Sequence, residues 1–274
     1  MTHAEDTTGL EFGSLLSGGL RLARQRWGTL FILIVALDWG PRFGLFLSGT
    51  HYYATGSHNA GAFAGYALQY VLLIFCSYLM QTSAAASALG ATGARVSATR
   101  ATLHVLRRLP ALAPWWLLIS APGAVTLWLR WSAPTPDAYW ALYVWRLTGD
   151  TVFDIAVSSA VGLFWLVVLA EDLGGRSALS RSLSLMSGRR RIVFAVVFAG
   201  DAVGLLINLA TPYLTDTAVN LGLGRNGEVL ATYFMAFVWE AVAALMNLTL
   251  LQLYRELVRA HDGVAPGELT HIFA

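Results

Sequence analysis

Six apolar stretches, at 27–47, 60–86, 109–129, 148–170, 192–213 and 229–253, are each long enough to cross a bilayer. A helix needs about 20 mostly apolar residues to traverse roughly 30 Å of hydrocarbon. In that solvent each segment must satisfy its own backbone N–H and C=O groups, which selects helices for runs of this kind. The expected fold is therefore all-α, a polytopic transmembrane bundle of about six helices in one domain. Composition agrees: 12% of the residues are charged and 56% hydrophobic, against about 25% charged in soluble domains. The predicted organisation is a segment 1–26 bearing an amphipathic helix, a membrane domain 27–253 and a tail 254–274. The third stretch is the least regular, because Pro122 lies inside it and should kink it.

Arginine placement predicts the orientation. All 18 basic residues are arginine, with no lysine, as a GC-rich bacterial coding bias produces. Fourteen flank the ends expected inside: Arg21, Arg24, Arg26; Arg95, Arg100, Arg107, Arg108; Arg176, Arg181, Arg189, Arg190, Arg191; and Arg255, Arg259. The opposite loops hold Arg130, Arg146 and Arg225 only. By the positive-inside rule both termini are cytoplasmic at an inner (plasma) membrane. The start MTHAEDTTGL lacks the basic n-region of a cleaved signal peptide, so the first apolar segment is expected to stay as an anchor. On the other side, Trp128, Trp131, Tyr139, Trp140, Tyr143 and Trp145 read as an interfacial aromatic belt, with a ligand or partner surface as the alternative.

A weak threefold repeat accompanies this pattern. Helically spaced apolar residues precede an arginine cluster before the first, third and fifth stretches. Arg24, Arg107 and Arg190 recur 83 residues apart. Three hairpins are expected, each introduced by an amphipathic helix in the inner interface.

The segment LVVLAEDLGGRSALSRSLSLMSGRRRIVFAVVF, together with LYRELVRAHDG near the C-terminus, resembles the membrane domain attached to some bacterial glycerophosphoryl diester phosphodiesterases, and its stand-alone uncharacterised relatives. The resemblance implies that Glu171, Arg181, Ser182, Gly188, Tyr254 and Arg255 match the family pattern. It implies no phosphodiesterase activity, because no His-Arg-Gly motif or barrel-like alternation of strands and helices is present. Read without the family, Glu171 sits at a membrane edge within reach of Arg176, Arg181, Arg189, Arg190 and Arg191. These residues, with Ser182, Tyr254 and Arg255, suit either a salt-bridged clamp or a site for an anionic lipid headgroup or a partner.

Ionisable groups within the stretches are functional candidates, because burying them in hydrocarbon is costly. They are Asp38, Arg42, Asp154, Asp201 and Glu240. Asp38 and Arg42 are spaced i,i+4 and should pair. At 1.5 Å per residue, Asp201 and Glu240 fall near mid-depth, and Asp154 lies about 10 Å from Asp201. Asp201 and Glu240 have no obvious basic partner except Arg42, so hydrogen bonds to Asn208, Asn247 or a hydroxyl are expected. A proton or cation relay is the alternative.

Catalytic patterns are thin. Without lysine there is no Ser-Lys dyad or Schiff base. Cys76 is alone, and the six histidines fall outside the apolar stretches, so no cofactor or metal is expected. His51 and His58 share one loop but lack a third ligand. No basic stripe suited to nucleic acid appears. The sequence thus favours a non-enzymatic lipid- or partner-binding membrane protein. A small-solute or ion transporter using the intramembrane acids comes second, since only one stretch shows an internal break. An intramembrane enzyme comes last.

Overall fold

The computed structural model describes residues 11–47, 60–89, 96–132 and 144–263, which are 93% helical with no strand. The first span is α1 (Phe12–Leu33), a π-helical turn (Ile34–Trp39) and α2 (Gly40–Leu47). The second is α3 (Ala60–Leu89). A short amphipathic helix, α4 (Ala98–Arg107), leads into α5 (Leu109–Ile119) and α6 (Ala121–Ser132), which form the third span. A π turn (Trp145–Asp150) precedes the fourth span, α7 (Thr151–Val161) and α8 (Phe164–Glu171). A second short helix, α9 (Gly175–Met186), leads to α10 (Arg190–Ala218); a π turn (Val219–Leu223) then joins α11 (Gly224–Asp262). Four helices are long and apolar enough to cross a membrane, and six spans result when each bent pair counts as one.

Two of the three amphipathic lead-ins form separate helices. α4 begins at Ser97, whose hydroxyl oxygen accepts the Arg100 N–H at 3.3 Å. α9 ends before a turn in which Gly188 adopts φ 74°, a conformation that favours glycine. The first lead-in differs from the expected separate helix. No proline falls between Phe12 and Leu33, and Gly18 and Gly19 pack against α11, so the stretch runs straight into the span as part of α1. α11 continues past Leu253, where the sixth apolar stretch ends, and stops only at Gly263, in a left-handed C-terminal cap.

The fourth span is a second correction. It bends by 46° at Gly162–Leu163, beside the 48° bend of the third span at Ser120. Pro122 accounts for the third-span break, since it lacks an N–H. In the fourth, a Cβ at Gly162 would collide with the Ser158 carbonyl oxygen.

Burial is uneven. Phe164 to Ala170 of α8 are all buried, and a helix apolar on every side belongs inside a bundle. It shares one core with Ala84, Ala85 and Ala88 of α3, Val105 of α4, Met186 of α9, Val193 and Val196 of α10, and Leu251 and Leu257 of α11. This core lies toward the arginine-rich end. Large apolar side chains face outward instead, including Leu68, Leu117, Leu206, Tyr213 and Phe234. An apolar exterior of this extent suits contact with lipid. Small residues let helices approach closely: Gly19 of α1 lies against Thr249, and Gly204 of α10 against Trp239, both of α11.

Candidate functional site

Two polar clusters stand out, one inside the bundle and one at its arginine-rich end. The inner cluster begins with Asp38, in the π turn of the first span, fully buried. Single π turns inside helices are frequent at functional sites. Arg42 donates from Nε and Nη2 to the two Asp38 oxygens, both at 2.8 Å, in the expected i,i+4 pair. Its Nη2 also lies 3.7 Å from Glu240 Oε1. Glu240, 1% exposed, accepts the Ser77 hydroxyl at 2.7 Å and the Gln81 amide at 3.3 Å. Asn247 donates to Gln81 Oε1 at 3.3 Å. This network joins the first, second and sixth spans and satisfies the buried charges. Of the predicted hydrogen-bonding partners for Glu240, a hydroxyl is direct and Asn247 acts through Gln81.

Asp154 and Asp201 form a second pair. Their side chains hydrogen-bond across the fourth and fifth spans, and Asp154 accepts the Ser158 hydroxyl at 3.1 Å. The expected 10 Å separation in depth is therefore wrong. It assumed straight helices, whereas the fourth span bends and the fifth continues to Ala218.

Both networks border one cavity of about 630 Å³, lined by Arg42, Asp154, Asp201 and Glu240, with residues from all six spans. Ser120 and Gly162, at the two helix breaks, also line it. Trp116, Trp165 and Trp239 add aromatic walls. Sequence reading missed Ser77 and Gln81, because serine and glutamine in a helix carry no signal until their neighbours are known. Among the described residues no three His, Cys, Asp or Glu side chains gather as a metal site.

At the arginine-rich end, Arg181 of α9 is the hub. Its Nε donates to Glu171 at 2.9 Å, Nη1 donates to Asp262 at 3.0 Å, and Nη2 also pairs with Asp262. The Tyr254 hydroxyl donates to Glu171 at 2.8 Å. His261 reaches Ser184 at 3.0 Å. The carboxylates of Asp262 and Glu171 raise the Arg181 guanidinium above its ordinary range. Arg181 in turn holds the Asp262 carboxyl down at about 2. Arg108 pairs with Asp172, and Arg255 Nη2 donates to the Ala88 carbonyl at 2.5 Å, near the C-terminus of α3. His104 contacts the Leu169 carbonyl at 3.1 Å, and burial lowers its imidazole below the usual range.

The predicted lipid-site residues thus divide. Glu171, Arg181, Tyr254 and Arg255 are engaged internally, and Ser182 is fully buried. Arg176, Arg189, Arg190 and Arg191 make no ion pair among the described residues. Asp262 was missed, although helical sequence runs unbroken from Tyr254 to Gly263 and carries it into reach. His51, His58, Arg95, Tyr139, Trp140 and Tyr143 lie outside the described residues. No family model, curated protein or solved structure matches the chain.

Proposed function

We propose that this chain is a multi-pass, non-enzymatic protein of a bacterial inner membrane, with both termini cytoplasmic, that binds a small polar solute between its spans and carries it across. One observation carries this reading. The third and fourth spans both break beside one cavity that holds Asp154, Asp201 and Glu240. Helix breaks within a membrane are tolerated where the freed backbone lines a cavity or is buried in protein, and carriers place their sites at such breaks. The sequence alone put transport second because it offered one break; the bend at Gly162 supplies another. The test is counterflow of a solute panel in proteoliposomes. Asp201→Asn with Glu240→Gln should abolish any flux while the protein still inserts and runs as one peak on gel filtration. Unchanged flux in that variant would sink the reading.

A second reading, binding of anionic lipid or a partner at the inner face, keeps one supporting observation. Arg176, Arg189, Arg190 and Arg191 lack carboxylate partners among the described residues. They share an end with Leu103, Leu106 and Leu179, exposed on α4 and α9. Native mass spectrometry should show retained phospholipid that is lost when Arg189, Arg190 and Arg191 are neutralised; equal retention counts against it. Kinship with the stand-alone relatives of the phosphodiesterase membrane domain is proposed on Glu171, Arg181, Ser182, Gly188, Tyr254 and Arg255.

A further inference from the structure

We propose that the cavity takes a small organic cation, an amine or quaternary ammonium, held between carboxyl groups and tryptophan rings; this rests on the solute-binding reading above. The charge balance of the wall comes first. Arg42 is the one basic side chain among the described lining residues. Its charge is matched by Asp38 through two parallel hydrogen bonds at 2.8 Å. Three lining carboxyls remain: Glu240, Asp154 and Asp201. Asp154 and Asp201 are in hydrogen-bond contact. Two carboxyls this close do not both stay ionised without a positive charge beside them, whether a shared proton or a bound cation. An anion in the same space would face these three carboxyls and a single guanidinium already engaged by Asp38.

Size and aromatic character narrow the cation. A volume of about 630 Å³ far exceeds a bare metal ion and falls in the range of small-molecule sites. Trp116, Trp165 and Trp239 line it. Tryptophan faces attract ammonium groups most strongly of the aromatic residues, and more so away from water.

The experiment titrates the full-length protein in detergent with benzyltrimethylammonium, its uncharged carbon isostere neopentylbenzene, and benzenesulfonate, read by tryptophan fluorescence and equilibrium dialysis. The cation should bind saturably, at least about tenfold tighter than the isostere, with no saturable binding of the sulfonate. Asp154→Asn with Asp201→Asn should weaken the cation about tenfold or more and leave the isostere unchanged. The wild-type comparison stands even where that variant misfolds. Equal or tighter binding of the isostere or the sulfonate overturns the cation assignment and leaves the cavity reading intact. Binding of none of the three also overturns it, and the flux assay then decides the cavity reading by itself.

Discussion

Arg181 should be the most sensitive single position at the arginine-rich end. Replacing it with alanine removes a forked bond to the two Glu171 oxygens and two contacts to Asp262, and leaves Tyr254–Glu171 and His261–Ser184 as links from α11 to α8 and α9. The two sides differ in weight. Glu171 is 17% exposed, so its hydrogen bond from a guanidinium falls in the class worth about 1.5–3 kcal/mol. Asp262 is more exposed, and an ion pair there contributes under about 1 kcal/mol after solvent screening. Arg181→Ala should therefore destabilise by about 2–4 kcal/mol. Lysine is a point charge and cannot serve two carboxylates from opposite edges, so Arg181→Lys should recover about half of that. Glu171→Gln should cost more than Asp262→Asn. Equilibrium unfolding in mixed detergent micelles, followed by tryptophan emission, measures each variant. An alanine variant within about 0.5 kcal/mol of the parent, or a lysine variant equal to it, would refute the clamp as described.

Gly204→Ala should destabilise by about 1–3 kcal/mol, because its Cβ would run into the Trp239 ring, while Gly28→Ala, with open space around it, should stabilise by up to about 1 kcal/mol; thermal unfolding of both in one detergent decides. Arg255→Ala should cost about 1.5–3 kcal/mol by leaving the Ala88 carbonyl near the end of α3 without its donor, and hydrogen exchange should rise in the last turn of α3. The Asp262 carboxyl, held at about 2, lies below its unfolded value near 3.8, so its contribution is complete above about pH 4 and is lost as pH falls through 2. The stability gap between the parent and Asp262→Asn should therefore close as pH falls from about 4 toward 2; a gap that stays fully open at pH 2 contradicts the assignment.

What could be read from the sequence was local or repeated along the chain. The span count follows from hydropathy, and the Asp38–Arg42 pair from i,i+4 spacing. The Glu240–Ser77 bond joins residues 163 apart, and no spacing rule reaches that far. Gly162 carried no signal, because glycine is common in membrane helices. Its bend, with the Val219–Leu223 π turn that follows the fifth span, defeated a depth scale built on straight helices. The clamp was half legible: Glu171 and Arg181 stood out at a membrane edge, while Asp262 lay beyond the apolar run that marked the sixth span.

The clamp and the cavity bear on one another through α8. This half-helix carries Trp165 on the cavity wall and Glu171 in the clamp, six residues apart on a segment buried on every side. On the carrier reading proposed above, opening the cavity toward the arginine-rich end would move α8 against α9 and α11, and Arg181 of α9 bonds to both neighbours. Opening toward the other end leaves those bonds intact. Release of Arg181 should thus favour one direction of access. In a Cys76→Ala background, Ser158→Cys places a single thiol on the cavity wall. Adding Arg181→Ala should raise its labelling by an impermeant maleimide from the arginine-rich side and leave labelling from the opposite side unchanged. Equal increases from both sides would mean general loosening of the bundle, and no increase would mean that the clamp does not restrain access.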